Sequence, residues 1–140
     1  MDGNSFLRLI NHAFVPFMNK LGFSLELPHI SGRYYRARFI SLRHMVSLTF
    51  EPGDEVHFVM VHGLKDGIAT EIDDKQMAPR LADLNKQFMA KIDSESRSKN
   101  ETFFSLIPTA DRDEQMLLKA AKDLRLVLPM HIKQGRMGEL

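Results

Sequence analysis

GRYYRARFISLRHMVSLTFEPGDEVHFVMVH, residues 32 to 62, decides the fold. It reads as three consecutive antiparallel strands. In the first, Tyr35, Ala37 and Phe39 alternate with Tyr34, Arg36, Arg38 and Ile40, so one face is apolar and the other carries two cations beside an aromatic ring. In the second, Val46, Leu48 and Phe50 alternate with Ser47, Thr49 and Glu51, again one face buried and one wet. Glu51-Pro52-Gly53-Asp54 supplies the turn, with Pro fixing φ and Gly accepting positive φ. The third strand, Val56 to His62, differs: Val56, Phe58 and Met60 lie on one side, and Val59 and Val61 share the other with His57. A strand apolar on both sides is central in its sheet or part of an interface, which makes Val59 and Val61 candidate interface residues.

Upstream of the meander the pattern is helical. Phe6, Ile10, Ala13, Phe14, Phe17 and Leu21 follow the helical period, with Asn4 or Ser5 as the expected cap. Ser5, Arg8, His12 and Asn19 fall on the opposite face, which reads as solvated. Pro16 should kink or split this helix near Phe14, and Gly22 should end it. Phe23, Leu25 and Leu27 then alternate with polar residues as a half-buried strand ended by Pro28, and His29 to Gly32 reads as a turn.

Downstream, Lys65-Asp66-Gly67 is a hairpin signal, and Ile68, Thr70 and Ile72 suggest a short further strand. Met77, Leu81, Leu84, Phe88 and Ile92 form a helical stripe starting near Ala78, with Pro79 in its first turn. The polar run Asp93 to Glu101 reads as a mobile connection, after which Asn100 would cap a short turn through Phe103, Phe104 and Ile107. Asp111 and Glu114 suit a capping box opening a last helix, striped by Leu117, Ala120, Ala121, Leu124 and Leu128. Pro129 should end or bend it, leaving 133–140 as a flexible tail. The order implies one α+β domain over 1–132. It would be a two-layer sandwich: an antiparallel four- or five-stranded meander, with an N-terminal helix and two or three C-terminal helices on one face.

Composition narrows the function classes. The 140 residues hold 19 basic and 18 acidic side chains, a net charge of +1 that counts against nucleic acid as the partner. Cysteine is missing, which excludes disulfides, zinc thiolates and thiol catalysis. The N-terminus lacks a signal-peptide pattern, and no apolar run reaches the roughly eighteen residues of a membrane span. A cytoplasmic protein without membrane association is expected.

Chemistry-bearing residues concentrate in the meander. Arg36 and Arg38 share a strand face with Tyr34, with Arg43 nearby, and guanidinium groups in such a row suit carboxylate or phosphate. The competing reading is a solvated strand whose arginines pair with Glu51 and neighbouring acids. His57 and His62 are an odd interval apart and lie on opposite faces, so they cannot share a metal. His44 falls in a turn and His131 after Pro129. Glu71, Asp73 and Asp74 form a carboxylate cluster explained by the helix that follows. No nucleotide, metal or nucleophile-elbow motif occurs, so neither a cofactor, a metal site nor a catalytic residue is expected.

The N-terminal helix running into Leu21-Gly22-Phe23, followed by the aromatic-basic strand Arg33-Tyr34-Tyr35-Arg36, resembles small uncharacterised bacterial α+β domains of the immunity-protein-like kind. That resemblance covers about the first sixty residues, the meander included, and carries over no catalytic residue. Two functional readings result. One is a non-catalytic interaction protein, bound to a protein partner or to itself as a homodimer through the sheet. The alternative is a small anion-binding domain or small enzyme with a pocket between sheet and helices, Arg36 or Arg38 holding the anion and His57 or His62 supplying acid–base chemistry.

Overall fold

The structure, a computed structural model, describes residues 1–51, 56–65, 68–69 and 78–138, with the side chains of 56–58, 65, 68–69 and 136–138 set aside. The turn at Pro52 to Asp54, Asp66-Gly67, the continuation of the short strand through Thr70 and Ile72, the acidic cluster at Glu71, Asp73 and Asp74, and Met77 lie outside it.

The chain opens with α1 (Gly3–Leu9), a single π-helical stretch (Ile10–Phe14) and α2 (Val15–Lys20). The cap is Asp2, two residues before Asn4 and three before Ser5, its carboxylate accepting from Ser5 N at 2.8 Å. Pro16 acts where the sequence placed it. It has no N–H to give, and the wide turn just before it, closed by Val15 N to the Ile10 carbonyl, absorbs the mismatch. Gly22 ends α2 at a φ of +91°. Gly22 N donates to Asn19 O at 3.1 Å and Phe23 N to Met18 O at 3.0 Å, a Schellman closure sealed by the buried Met18 and Phe23 side chains.

The sheet is antiparallel along the path β1 (Ser24–Leu25), β3 (Tyr34–Ile40), β4 (His44–Glu51), β5 (Val56–Lys65) and β6 (Ile68–Ala69), with β2 (His29–Ser31) also pairing β3. His29 to Ser31 is therefore a strand, not the expected turn, and His44 opens β4 instead of sitting in a turn. Both β1 and β2 lie on one edge of β3. Leu25 pairs with Phe39, Glu26 N reaches Arg38 O at 2.9 Å, and His29 pairs with Arg36. Two residues, Leu27 and Pro28, thus oppose Ala37 alone. This bulge breaks the alternation and leaves Leu27 96% exposed where the sequence pattern pointed it inward. A bulge with proline also blunts the sheet edge against further strand pairing.

The helices cover one face of the sheet. Phe6 meets Tyr35 at a ring separation of 5.3 Å, Phe14 meets Phe39 at 6.4 Å, and Phe17 meets Phe104 at 6.4 Å. After the sheet, Pro79 O accepts from Val61 N at 2.9 Å and Arg80 bridges Met60, so the chain covers the free edge of β5 before α3 (Leu81–Phe88) begins, three residues later than Ala78.

The polar run from Asp93 is not a connection but α4 (Ser94–Phe104), capped by Asp93, whose carboxylate accepts from Ser96 N at 2.7 Å. Asn100 sits inside it, 2% exposed, instead of capping a later turn. The last helix, α5 (Arg112–Gly138), continues through Pro129 and over most of the stretch expected as a tail at 133–140. Its Leu117, Ala121, Leu124, Val127 and Leu128 complete the core. The result is the expected α+β architecture of an antiparallel sheet with N-terminal and C-terminal helices. No helix among the described residues is long and apolar enough to cross a membrane.

Candidate functional site

Pairing register determines which residues share the face turned away from the helices. Arg36 stands opposite Thr49 on one side and His29 on the other, and Arg38 stands opposite Ser47. Ser47 in turn faces Met60, and Met45 faces His62. Tyr34 adds its ring at one end, 6.1 Å from that of His29. Tyr34, Arg36, Arg38, Ser47 and Thr49 are all partly buried, while Met60 and His62 are 7% and 5% exposed. The accessible part of this face is therefore a band of arginine, tyrosine and hydroxyl groups on β3 and β4.

The cross-sheet pairing of Arg36 and Arg38 with Glu51 is not formed. Neither arginine is ion-paired or hydrogen-bonded among the described residues, and Arg38 Nε is buried with no hydrogen-bond partner. A buried guanidinium N–H left unmade costs on the order of 1–3 kcal/mol, so this edge of the band carries unspent bonding capacity.

Val59 and Val61 are on the other face. They pair with Leu48 and Val46, are 6% and 0% exposed, and belong to the core under the helices. The side of the third strand singled out as an interface is thus the side the protein's own helices cover. In the strand register His57 stands opposite Phe50 and His62 opposite Met45.

One contact on the outer face had no signal in the sequence. Ser47 Oγ and His62 Nε2 are 3.1 Å apart, a hydroxyl–imidazole pair from adjacent strands fifteen residues apart. Its surroundings bear on its chemistry. Ser47 lies within β4, paired on both sides, so the neighbouring backbone N–H groups are committed to the ladders and cannot form an oxyanion hole.

Arg43 does not join the other arginines. It lies at the β3–β4 turn beside a cavity of about 170 Å³, together with Ser41, His44 and Ile132 of α5. There the His44 and His131 rings meet at 5.8 Å, and burial pushes the His131 pKa below its ordinary value. The sequence placed His44 in a turn and His131 after Pro129 at the end of the last helix. The extension of α5 past Pro129 is what joins them.

A larger cavity, of about 500 Å³, opens between α2, α4 and α5. Its cations, Lys20, Lys91, Lys99 and Arg125, come from four separate elements. Such convergence has no local spacing to reveal it. Among the described residues no group of three or more His, Asp or Glu side chains is placed to hold a metal ion. Comparison with protein-family models, with curated proteins and with solved structures finds no match for this chain.

Proposed function

We propose that the protein is a non-catalytic binding protein that docks an acidic protein surface on the outer face of its sheet, centred on Arg36 and Arg38. The observation that carries this reading is that neither arginine has a carboxylate partner among the described residues, with Arg38 Nε buried and unbonded. An incoming Asp or Glu would meet the partly exposed Arg36 and Arg38 side chains in charge-assisted bonds, with Ser47 and Thr49 as hydroxyl neighbours in register. Self-association through the same face is disfavoured by symmetry. A two-fold interface would set this arginine band against its own copy. Val59 and Val61, the residues that suggested a dimer, are enclosed in the core. The near-neutral net charge of +1 favours protein acids over a nucleic-acid backbone. Against catalysis stands the position of Ser47 in a doubly paired strand.

The test is fluorescence anisotropy with a labelled Glu- and Asp-rich peptide, on wild type and on Arg36→Glu/Arg38→Glu, with light scattering on both. Binding that weakens about tenfold or more in the variant, and falls with added salt, is the expected result. Equal binding by both proteins would remove the arginines from the site. Tighter binding to a single-stranded oligonucleotide of equal charge would reassign the partner class, and a wild-type dimer that the double variant splits would reassign the face to self-association.

A further inference from the structure

We infer that the cavity between α2, α4 and α5 is a second binding site, for a small amphipathic anion with an apolar body and a single carboxylate head. Its walls divide by chemistry. Phe17, Leu21, Ile92, Leu126, Pro129 and Met130 give an apolar interior, and Lys20, Lys91, Lys99 and Arg125 bring positive charge to the same space. At about 500 Å³ it falls within the range of small-molecule sites, roughly 300–1,000 Å³.

The charge is concentrated beyond what the chain's composition supplies. The whole protein has a net charge of +1, yet this cavity sets four cations against one carboxylate, Asp93. Asp93 is committed to capping α4 through Ser96 N. Lys99 pairs with Glu95 at 3.1 Å, but both side chains are more than 70% exposed, so that pair neutralises little. Lys20 and Lys91 have no carboxylate partner among the described residues. Arg125 is already held in place. Its Nη1 donates to Asn100 Oδ1 at 3.0 Å and its guanidinium lies 4.0 Å from the Phe103 ring centroid, so little side-chain entropy remains to be lost when an anion docks. A purely inorganic anion would leave the apolar wall unused, and a neutral apolar molecule would leave the cations unused. Only a ligand with both parts uses the whole site.

The experiment is a titration of protein carrying ¹³C-methyl methionine with sodium decanoate, read at the Met130 methyl signal and by calorimetry. Decanol and inorganic phosphate serve as the comparison ligands. Saturable decanoate binding that moves Met130 is expected, about tenfold tighter than either comparison ligand and weakened about tenfold in Lys20→Glu/Lys91→Glu. Both lysines are exposed, so the variant should fold, which its unfolding curve checks. Arg36→Glu/Arg38→Glu should bind decanoate like wild type, which separates this site from the sheet face. No Met130 shift, decanol binding as tightly as decanoate, phosphate binding as tightly as decanoate, or indifference to the lysine charge reversal would each overturn the inference.

Discussion

Asn100 and Arg125 join α4 to α5. The buried Asn100 amide donates to the Lys122 carbonyl at 3.0 Å and accepts from Arg125 Nη1 at 3.0 Å. Apart from Phe103 and Phe104 near its end, α4 carries only polar and charged side chains, so this polar contact and the buried Phe104 ring anchor it. Replacing Asn100 by Leu keeps the volume but strips Arg125 of its acceptor. A loss of about 2–3 kcal/mol is expected, because bonds to charged groups sit at the upper end of the hydrogen-bond range. Urea unfolding measures it, and a change below about 0.5 kcal/mol would show that the Asn100 bonds do not anchor α4.

Gly22 offers a separate test of a backbone effect. A Cβ at this position would meet nothing within 4 Å, so any cost of Gly22→Ala is conformational, from forcing a φ of +91° on an L-residue. The expected loss is about 1–2 kcal/mol, seen as a lower urea midpoint with an unchanged slope. An unchanged midpoint would mean that the Schellman closure can relax without cost.

His131 gives a pH dependence whose sign follows from its burial. Desolvation opposes the imidazolium in the folded state, so the folded pKa lies below the ordinary 6.5 at which the unfolded chain titrates. As pH falls through 6.5 the unfolded chain takes up the proton first, and stability declines until the folded pKa is reached. The His44 ring packs edge-on against it, 5.8 Å away. His131→Gln should therefore flatten the fall of the thermal midpoint between pH 7 and pH 5. Parallel pH profiles for the two proteins would exclude His131 as the source.

These tests fall where sequence and structure agreed unevenly, and the reasons are physical. Strands β3 and β4 were legible because strict alternation with one polar face admits one orientation. β5 was legible as a strand but not in its orientation, since apolar residues on both faces leave its inward side undetermined until the register sets Val61 opposite Val46. α4 was misread as a linker because its anchors, Asn100 and Phe104, act through α5 and α2, not through a local stripe. The continuation of α5 depends similarly on distant contacts: Ile132 packs on the core and Gln134 accepts from Gln87 at 2.9 Å, offsetting the helix bond that Pro129 cannot make. Of the candidate site, Arg36, Arg38 and Tyr34 were visible as a row on one strand. The lysines of the helical cavity come from separate elements and only the fold assembles them.

Val61 separates the two readings of the sheet most sharply. Were it an interface residue, Val61→Glu would yield folded monomers from a dimer. The structure encloses Val61 completely between the sheet and the helices, opposite Val46. A carboxylate there loses its hydration with no partner supplied, a penalty of several kcal/mol against a typical total stability of about 5–15 kcal/mol. Val61→Glu should therefore abolish cooperative unfolding or lower the midpoint severely. Val61→Ala should cost about 2 kcal/mol through its cavity. Thr49→Glu, one strand away on the outer face, should stay folded, with a change within about 0.5 kcal/mol. Circular dichroism melting curves with light scattering decide it: a folded, monomeric Val61→Glu from a dimeric wild type would place Val61 at a subunit interface and overturn the assignment of that face to the core.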